Sequence, residues 1–162
     1  MEIEQALAVV RPAQDANHLA FGRTAMAIRM VRLGTPRAAG EGLRIGTVRR
    51  PPRGVPKAEF SKRDFYDTWL PTVAPSQAVM DIAHAAKTDK DWANFFKHYR
   101  SEMKRPDAAH AIALLAALSH STNFSVGCYC ELEAHCHRHE LRKLLLEAGA
   151  EMIAQAINPA NA

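Results

Sequence analysis

The chain has 162 residues, 48% of them apolar and 23% charged, with a net charge of +4, which suits one domain around one core. No apolar run approaches the roughly 18 residues of a membrane helix, and three clustered cysteines do not make a secreted disulfide scaffold. The mild positive excess is compatible with an anionic partner without requiring one.

Residues 1–25 carry the weakest pattern. Met1-Glu2-Ile3-Glu4 lacks the basic and apolar regions of a signal peptide, so a reducing cytoplasm is the expected setting. Glu4 to Val10 reads as a short helix ended by Pro12. Met26 opens a better segment, so 1–25 is expected to be an extension, 26–150 a single domain and 151–162 a tail, frayed from Asn158.

From Ala27 to Leu33 apolar and basic residues alternate at period two, as a strand requires. Turn-rich Gly34-Thr35-Pro36 and Gly40-Glu41-Gly42 lead to a second strand, Leu43 to Val48. It runs into Arg49-Arg50-Pro51-Pro52-Arg53-Gly54-Val55-Pro56-Lys57, where the prolines forbid regular structure. With Arg44, these cations make this loop the most basic part of the chain. Ser76 is placed to cap a helix through His84. Between Asp91 and Met103 the residues Trp92, Phe95, Phe96, Tyr99 and Met103 form an aromatic stripe on one helix face, read as core. Pro106-Asp107 starts a further helix with Ile112, Leu115 and Leu118 along its core edge. Asn123 to Gly127 reads as a strand and His139 to Ala148 as an amphipathic helix stopped at Gly149. The fold class is therefore α/β: a small sheet with some parallel strands, covered by helices.

Between that last strand and last helix lie all three cysteines, in Cys128-Tyr129-Cys130-Glu131-Leu132-Glu133-Ala134-His135-Cys136-His137-Arg138. A strand end meeting a helix start is where open α/β folds place ligands. Pro52-Arg53-Gly54, Ala74-Pro75-Ser76, and Cys128 followed by Cys136-His137-Arg138 resemble the bacterial domain-of-unknown-function 488 family, the YeaO-like proteins, from about Met26 to Ala150. The resemblance implies a shared α/β fold and a shared site rather than a known activity. Many members carry an Asp before the arginine that aligns with Arg49 and a Trp before Pro-Arg-Gly. Val48 and Pro51 stand there in this chain, so no role of that acid or aromatic transfers.

Three chemistries fit these residues. The first is an anion pocket: free amides at the last helix's N-terminus and Arg49, Arg53 and Arg138 would bind a small anionic or phosphorylated ligand. Cys128 and Cys136 would supply thiols there, Cys128 being the better nucleophile by position, and His137 would move a proton. Glu131 is counted with the arginines among the ligand-binding candidates; otherwise Arg138 would pair with Glu131 or Glu133. Neither Cys128 nor Cys130 has an arginine after five intervening residues, as the phosphatase signature requires. The second is a zinc or iron site from Cys128, Cys130, Cys136 and one of His135, His137 or His139. Its spacing is unusual, since side chains flanking one strand residue point to opposite faces. The third is nucleic-acid binding by the basic loop, with Phe60, Phe65 and Tyr66 stacking bases. His84, His98, His110 and His120 have no ligand spacing.

Overall fold

The computed structural model describes residues 26–154. The expected helix from Glu4 to Val10, the extension 1–25 and the frayed end from Asn158 lie outside them. The elements are β1 (Ile28–Arg32), β2 (Leu43–Gly46), β3 (Thr68–Trp69), α1 (Gln77–Ala85), α2 (Asp89–Glu102), α3 (Pro106–Leu118), β4 (Phe124–Cys128) and α4 (His137–Glu147). The strands form one sheet in the order β1-β4-β2-β3, and every pairing is parallel. The α/β class read from the pattern is the fold that forms.

β4 arrives last in the chain yet sits between β1 and β2, and all five of its residues are buried. That is the composition of a parallel strand covered on both faces. Val126 and Phe124 face the helices in a core with Ile28, Ile45, Phe95, Tyr99, Leu141 and Leu145. Ser125 and Gly127 face the other way. There Gly127 admits Val31 and Leu33, since a Cβ would lie 2.8 and 2.6 Å from their side chains. The aromatic stripe of α2 does bury Phe95, Tyr99 and Met103, while Trp92 and Phe96 stay half exposed.

Helix ends follow local chemistry. Ser76 caps α1 by accepting from the Val79 N–H, as expected. Thr88 and Asp91 form a reciprocal capping box, which starts α2 two residues before the aromatic periodicity suggests. β3 has only two residues, too short for a periodicity, and is held by register Ile45↔Thr68 and Gly46↔Trp69. Beyond α4, Met152 bridges to Ile28, so the start of the segment read as a tail adds to the sheet edge.

Arg44 requires a correction. The sequence counts it in the basic loop, but the structure buries it fully. Its side chain alternates onto the face opposite Ile45, where Nε and Nη2 grip both oxygens of Glu41 at 2.7 and 3.0 Å. Its Nη1 donates to the carbonyls of Thr35 and Asp64. Ser125 completes the cluster by donating to Glu41 Oε1 at 2.7 Å. The polar layer thus ties β2, β4 and two loops together.

Two carboxylates in this region set an acid limit on stability. Burial pushes Glu41 up, but bonds from Arg44, Ser125 and the Ala38 N–H outweigh it and hold it at about 2, against an ordinary 4.5. Burial also opposes ionisation of Asp67, yet Arg37, Ser61 and the Arg44 N–H hold it at about 2, against 3.8. Unfolding therefore takes up protons between these values. Stability is expected to be fully present above about pH 4.5 and to fall as pH drops toward about 2. Urea midpoints followed across that window check this; a flat profile would count against it.

Candidate functional site

The end of β2, the loop that follows it, the end of β4 and the start of α4 converge on a cavity of about 970 Å³. Thr47 N–H still donates to the Gly127 carbonyl, so the chain leaves the sheet only at Val48, whose carbonyl is held by Trp69 Nε1 at 2.7 Å. From there Arg49, Arg50 and Arg53 form part of the wall. Cys128, Cys130, Cys136 and His137 line the cavity too, and α1 and α2 close it with Met80, His84, Trp92 and Phe95. His135 stacks on Trp92 with ring centroids 4.4 Å apart. That α1–α2 wall is not legible from the motif: His84 has no spacing signal and Trp92 reads as core.

The three Sγ atoms all lie within 4.8 Å of one another. β4 ends at Cys128, so Tyr129 and Cys130 are already in irregular backbone and the opposite-face objection lapses. Cys128 Sγ donates to Cys130 Sγ at 3.6 Å. Cys136 is the N-cap of α4, and its Sγ accepts from the backbone N–H and the Nε of Arg138, each at 3.5 Å. Most helices put a hydroxyl or carboxylate here; a thiolate satisfies the same exposed amide and the positive end of the dipole.

The contacts distribute charge unequally. The adjacent thiols of Cys128 and then Cys130, against the cost of burial and helped by His137, pull the Cys136 thiol far below its ordinary value. Cys128, which gives its one S–H hydrogen to Cys130 and is buried beside the other two sulfurs, is pushed well up. Cys130 receives the Cys128 hydrogen, which lowers it, but its own donation to Cys136 and burial leave it pushed up to about 11. Of the three thiols, Cys136 is therefore the one most readily ionised.

His137 is buried with Nε2 2.8 Å from the Thr47 carbonyl. A carbonyl only accepts, so Nε2 carries the hydrogen, and Nδ1 is the nitrogen that faces Cys136 Sγ at 3.8 Å. The ring is thus oriented by backbone on one side and meets the thiol on the other.

The remaining sequence candidates are divided. Arg49 and Arg53 are exposed on the wall, and neither has a carboxylate within ion-pair distance among the described residues. Arg138 is buried and lies behind the thiols, donating to the Cys130 carbonyl at 2.6 Å. It pairs with neither glutamate: Glu131 lies 3.8 Å from Arg32 on the surface, and Glu133 holds Arg142 at 2.9 Å. Arg142 follows Cys136 after five intervening residues. That spacing would suggest a phosphatase loop, but here those residues are helical, so the arginine rises up α4 to Glu133 instead of curling over the thiol.

Three sulfurs at this separation could hold a soft metal ion. Among the described residues no imidazole or carboxylate joins them within the same radius, so none of His135, His137 and His139 completes a Cys₃His set. Phe60 and Tyr66 pack edge to face with centroids 5.1 Å apart, and Phe65 packs against Tyr129, so these rings are engaged with one another rather than presented as a stacking platform. No helix among the described residues is long and apolar enough to cross a membrane.

No curated protein and no solved structure matches the chain. The profile described as the active DUF488-N3 subclade matches residues 28–149, which take in the whole sheet, all four helices and every cysteine. The chain belongs to this family, DUF488-N3a.

Proposed function

We propose that the cavity binds a small anionic ligand, such as a phosphorylated compound, and presents it to a nucleophilic Cys136. The observation that carries this reading is the position of Cys136 Sγ. It lies within 4.8 Å of two further sulfurs and accepts from two N–H groups of Arg138, on a cavity wall that also bears Arg49 and Arg53, neither of which has a carboxylate partner among the described residues. The arginines would bind charge, the Cys136 sulfur would form a bond to the ligand's electrophilic atom as the bond to the leaving group breaks and its electrons pass to that group, and His137 would move the proton the leaving group takes up. Arg138 acts through Cys136 as a positioning residue. Three free thiols support a reducing, cytoplasmic setting.

Inorganic pyrophosphate is the first probe. Calorimetry is expected to show binding that weakens about a hundredfold in Arg49→Ala/Arg53→Ala, in line with roughly 1.5 kcal/mol for each of two charge-assisted bonds, and that weakens further as salt is raised. Equal affinity in the wild type and the double variant would sink the anion reading.

A second reading is favoured by the sulfur triangle: a soft ion such as zinc or iron held by Cys128, Cys130 and Cys136. Elemental analysis of protein purified under reducing conditions separates the two. Near-stoichiometric metal, lost in Cys128→Ser/Cys136→Ser, would put this reading first.

A further inference from the structure

We infer that the three cysteines form a hydroperoxide-responsive redox centre, in which Cys136, the N-cap of α4, is the cysteine oxidised and Cys130 the one that resolves it into a disulfide. The inference shares Cys136 with the reading above but needs no anion. It rests on the presence of two further thiols beside Cys136, either of which stands near enough to resolve an oxidised sulfur. Both lie within 4.8 Å of Cys136 Sγ, and both sulfurs border the same cavity.

Between the two, backbone restraint selects the resolving thiol. Cys128 is paired in the sheet with Arg32, and its carbonyl accepts from the Leu33 N–H. Moving its sulfur to bonding distance would strain the central strand. Cys130 lies beyond the strand in irregular backbone and is half-buried. A disulfide needs sulfurs about 2.05 Å apart, and a loop residue approaches more readily than a strand residue. A Cys128–Cys130 bridge would close a ring around Tyr129 alone, against the extended geometry that β4 imposes up to Cys128. Cys130 and Cys136 instead flank a five-residue segment with one short helical turn, Glu133–His135.

The chemistry balances with a hydroperoxide as the oxidant. The Cys136 thiolate attacks one peroxide oxygen and the O–O bond breaks. The alkoxide (or hydroxide) leaves and takes a proton, so sulfur is oxidised by two electrons to a sulfenic acid. The Cys130 sulfur then attacks Cys136 sulfur, hydroxide departs with the Cys130 proton as water, and the disulfide forms. An external thiol reductant would restore both residues by exchange.

Mapping the bridge in the full-length protein, in the wild type and in Cys128→Ser, tests the inference. Reduced protein treated with stoichiometric hydrogen peroxide is expected to lose two thiols and two hydrogens in mass. Cleavage after glutamate should then leave the peptide ending at Glu131 linked to the one containing Cys136. The link should survive in Cys128→Ser. In Cys130→Ser, Cys136 should be trapped as a sulfenic acid by dimedone and pass to sulfinic acid with excess peroxide. A Cys128–Cys130 link, direct passage of wild-type Cys136 to sulfinic acid, or three thiols left unchanged would each overturn it. Pyrophosphate binding is measured separately, so either reading can fail while the other stands.

Discussion

Alkylation of Cys136 by iodoacetamide is expected to proceed at a nearly constant rate from about pH 6 to pH 8, while that of an ordinary thiol with pKa about 8.5 climbs close to tenfold per unit. The cause is the set of donors around Cys136 Sγ: the thiols of Cys128 and Cys130, the amide and Nε of Arg138, and the nearby His137 ring. Each stabilises negative charge on sulfur, and together they outweigh the cost of burying it. At pH 6 an ordinary thiol is thiolate in roughly 0.3% of molecules, so a fully ionised Cys136 starts with an advantage of a few hundredfold. Part of that is returned, because a less basic thiolate is a weaker nucleophile with a Brønsted slope of about 0.4–0.5.

Burial lowers the absolute rate but not the shape of its pH dependence, so the profile is the discriminating measurement. In Cys136→Ser the flat component should vanish and the residual rate should rise steeply with pH. Peptide mapping assigns the label. A wild-type profile that climbs in step with pH would show that Cys136 is a protonated thiol, and its nucleophilic role would fall.

Arg44→Ala is expected to cost about 3–5 kcal/mol of stability, the range for removing one partner of a buried ion pair. Arg44 is fully buried and supplies four hydrogen bonds, two to Glu41 and one each to the carbonyls of Thr35 and Asp64. Truncation leaves the Glu41 carboxylate buried with only Ser125 and the Ala38 N–H as donors. That carboxylate must then lose its charge or draw in water, and both outcomes loosen the contact between β2 and β4. Glu41→Leu/Arg44→Met should recover part of the loss, since an apolar pair carries no desolvation cost. Recovery should stay incomplete, because Ser125 and Ala38 would then lack an acceptor, at about 1–3 kcal/mol for each buried group left unpaired. Urea denaturation with the transition slope held common to all variants measures both numbers. A loss below about 1 kcal/mol for Arg44→Ala would mean that water replaces the guanidinium without strain.

Periodicity and end signals carry most of the fold. Alternation marks β1, the aromatic stripe marks α2, Ser76 marks the start of α1, and Gly149 follows the end of α4 closely. These signals are local: each is decided by which side chains fall on one face or which oxygen can meet a free amide. The clustering of all cysteines between β4 and α4 likewise points to the candidate site, because a strand end joined to a helix start places its short connection at the carboxyl end of the strands. What a local pattern does not contain is the identity of neighbours. The insertion of β4 between β1 and β2 depends on pairing across the whole chain, and it decides that Arg44 meets Glu41 and Ser125 instead of solvent. The same applies to the thiols. Three cysteines in sequence carry no order of acidity; the Cys136 thiol is lowered relative to the other two because tertiary packing sets neighbouring thiols, an arginine and a helix end around it. Spacing alone also leaves Arg138 and Arg142 equally able to face a ligand, and it is helical rise and burial that turn one toward the sulfur and the other toward Glu133.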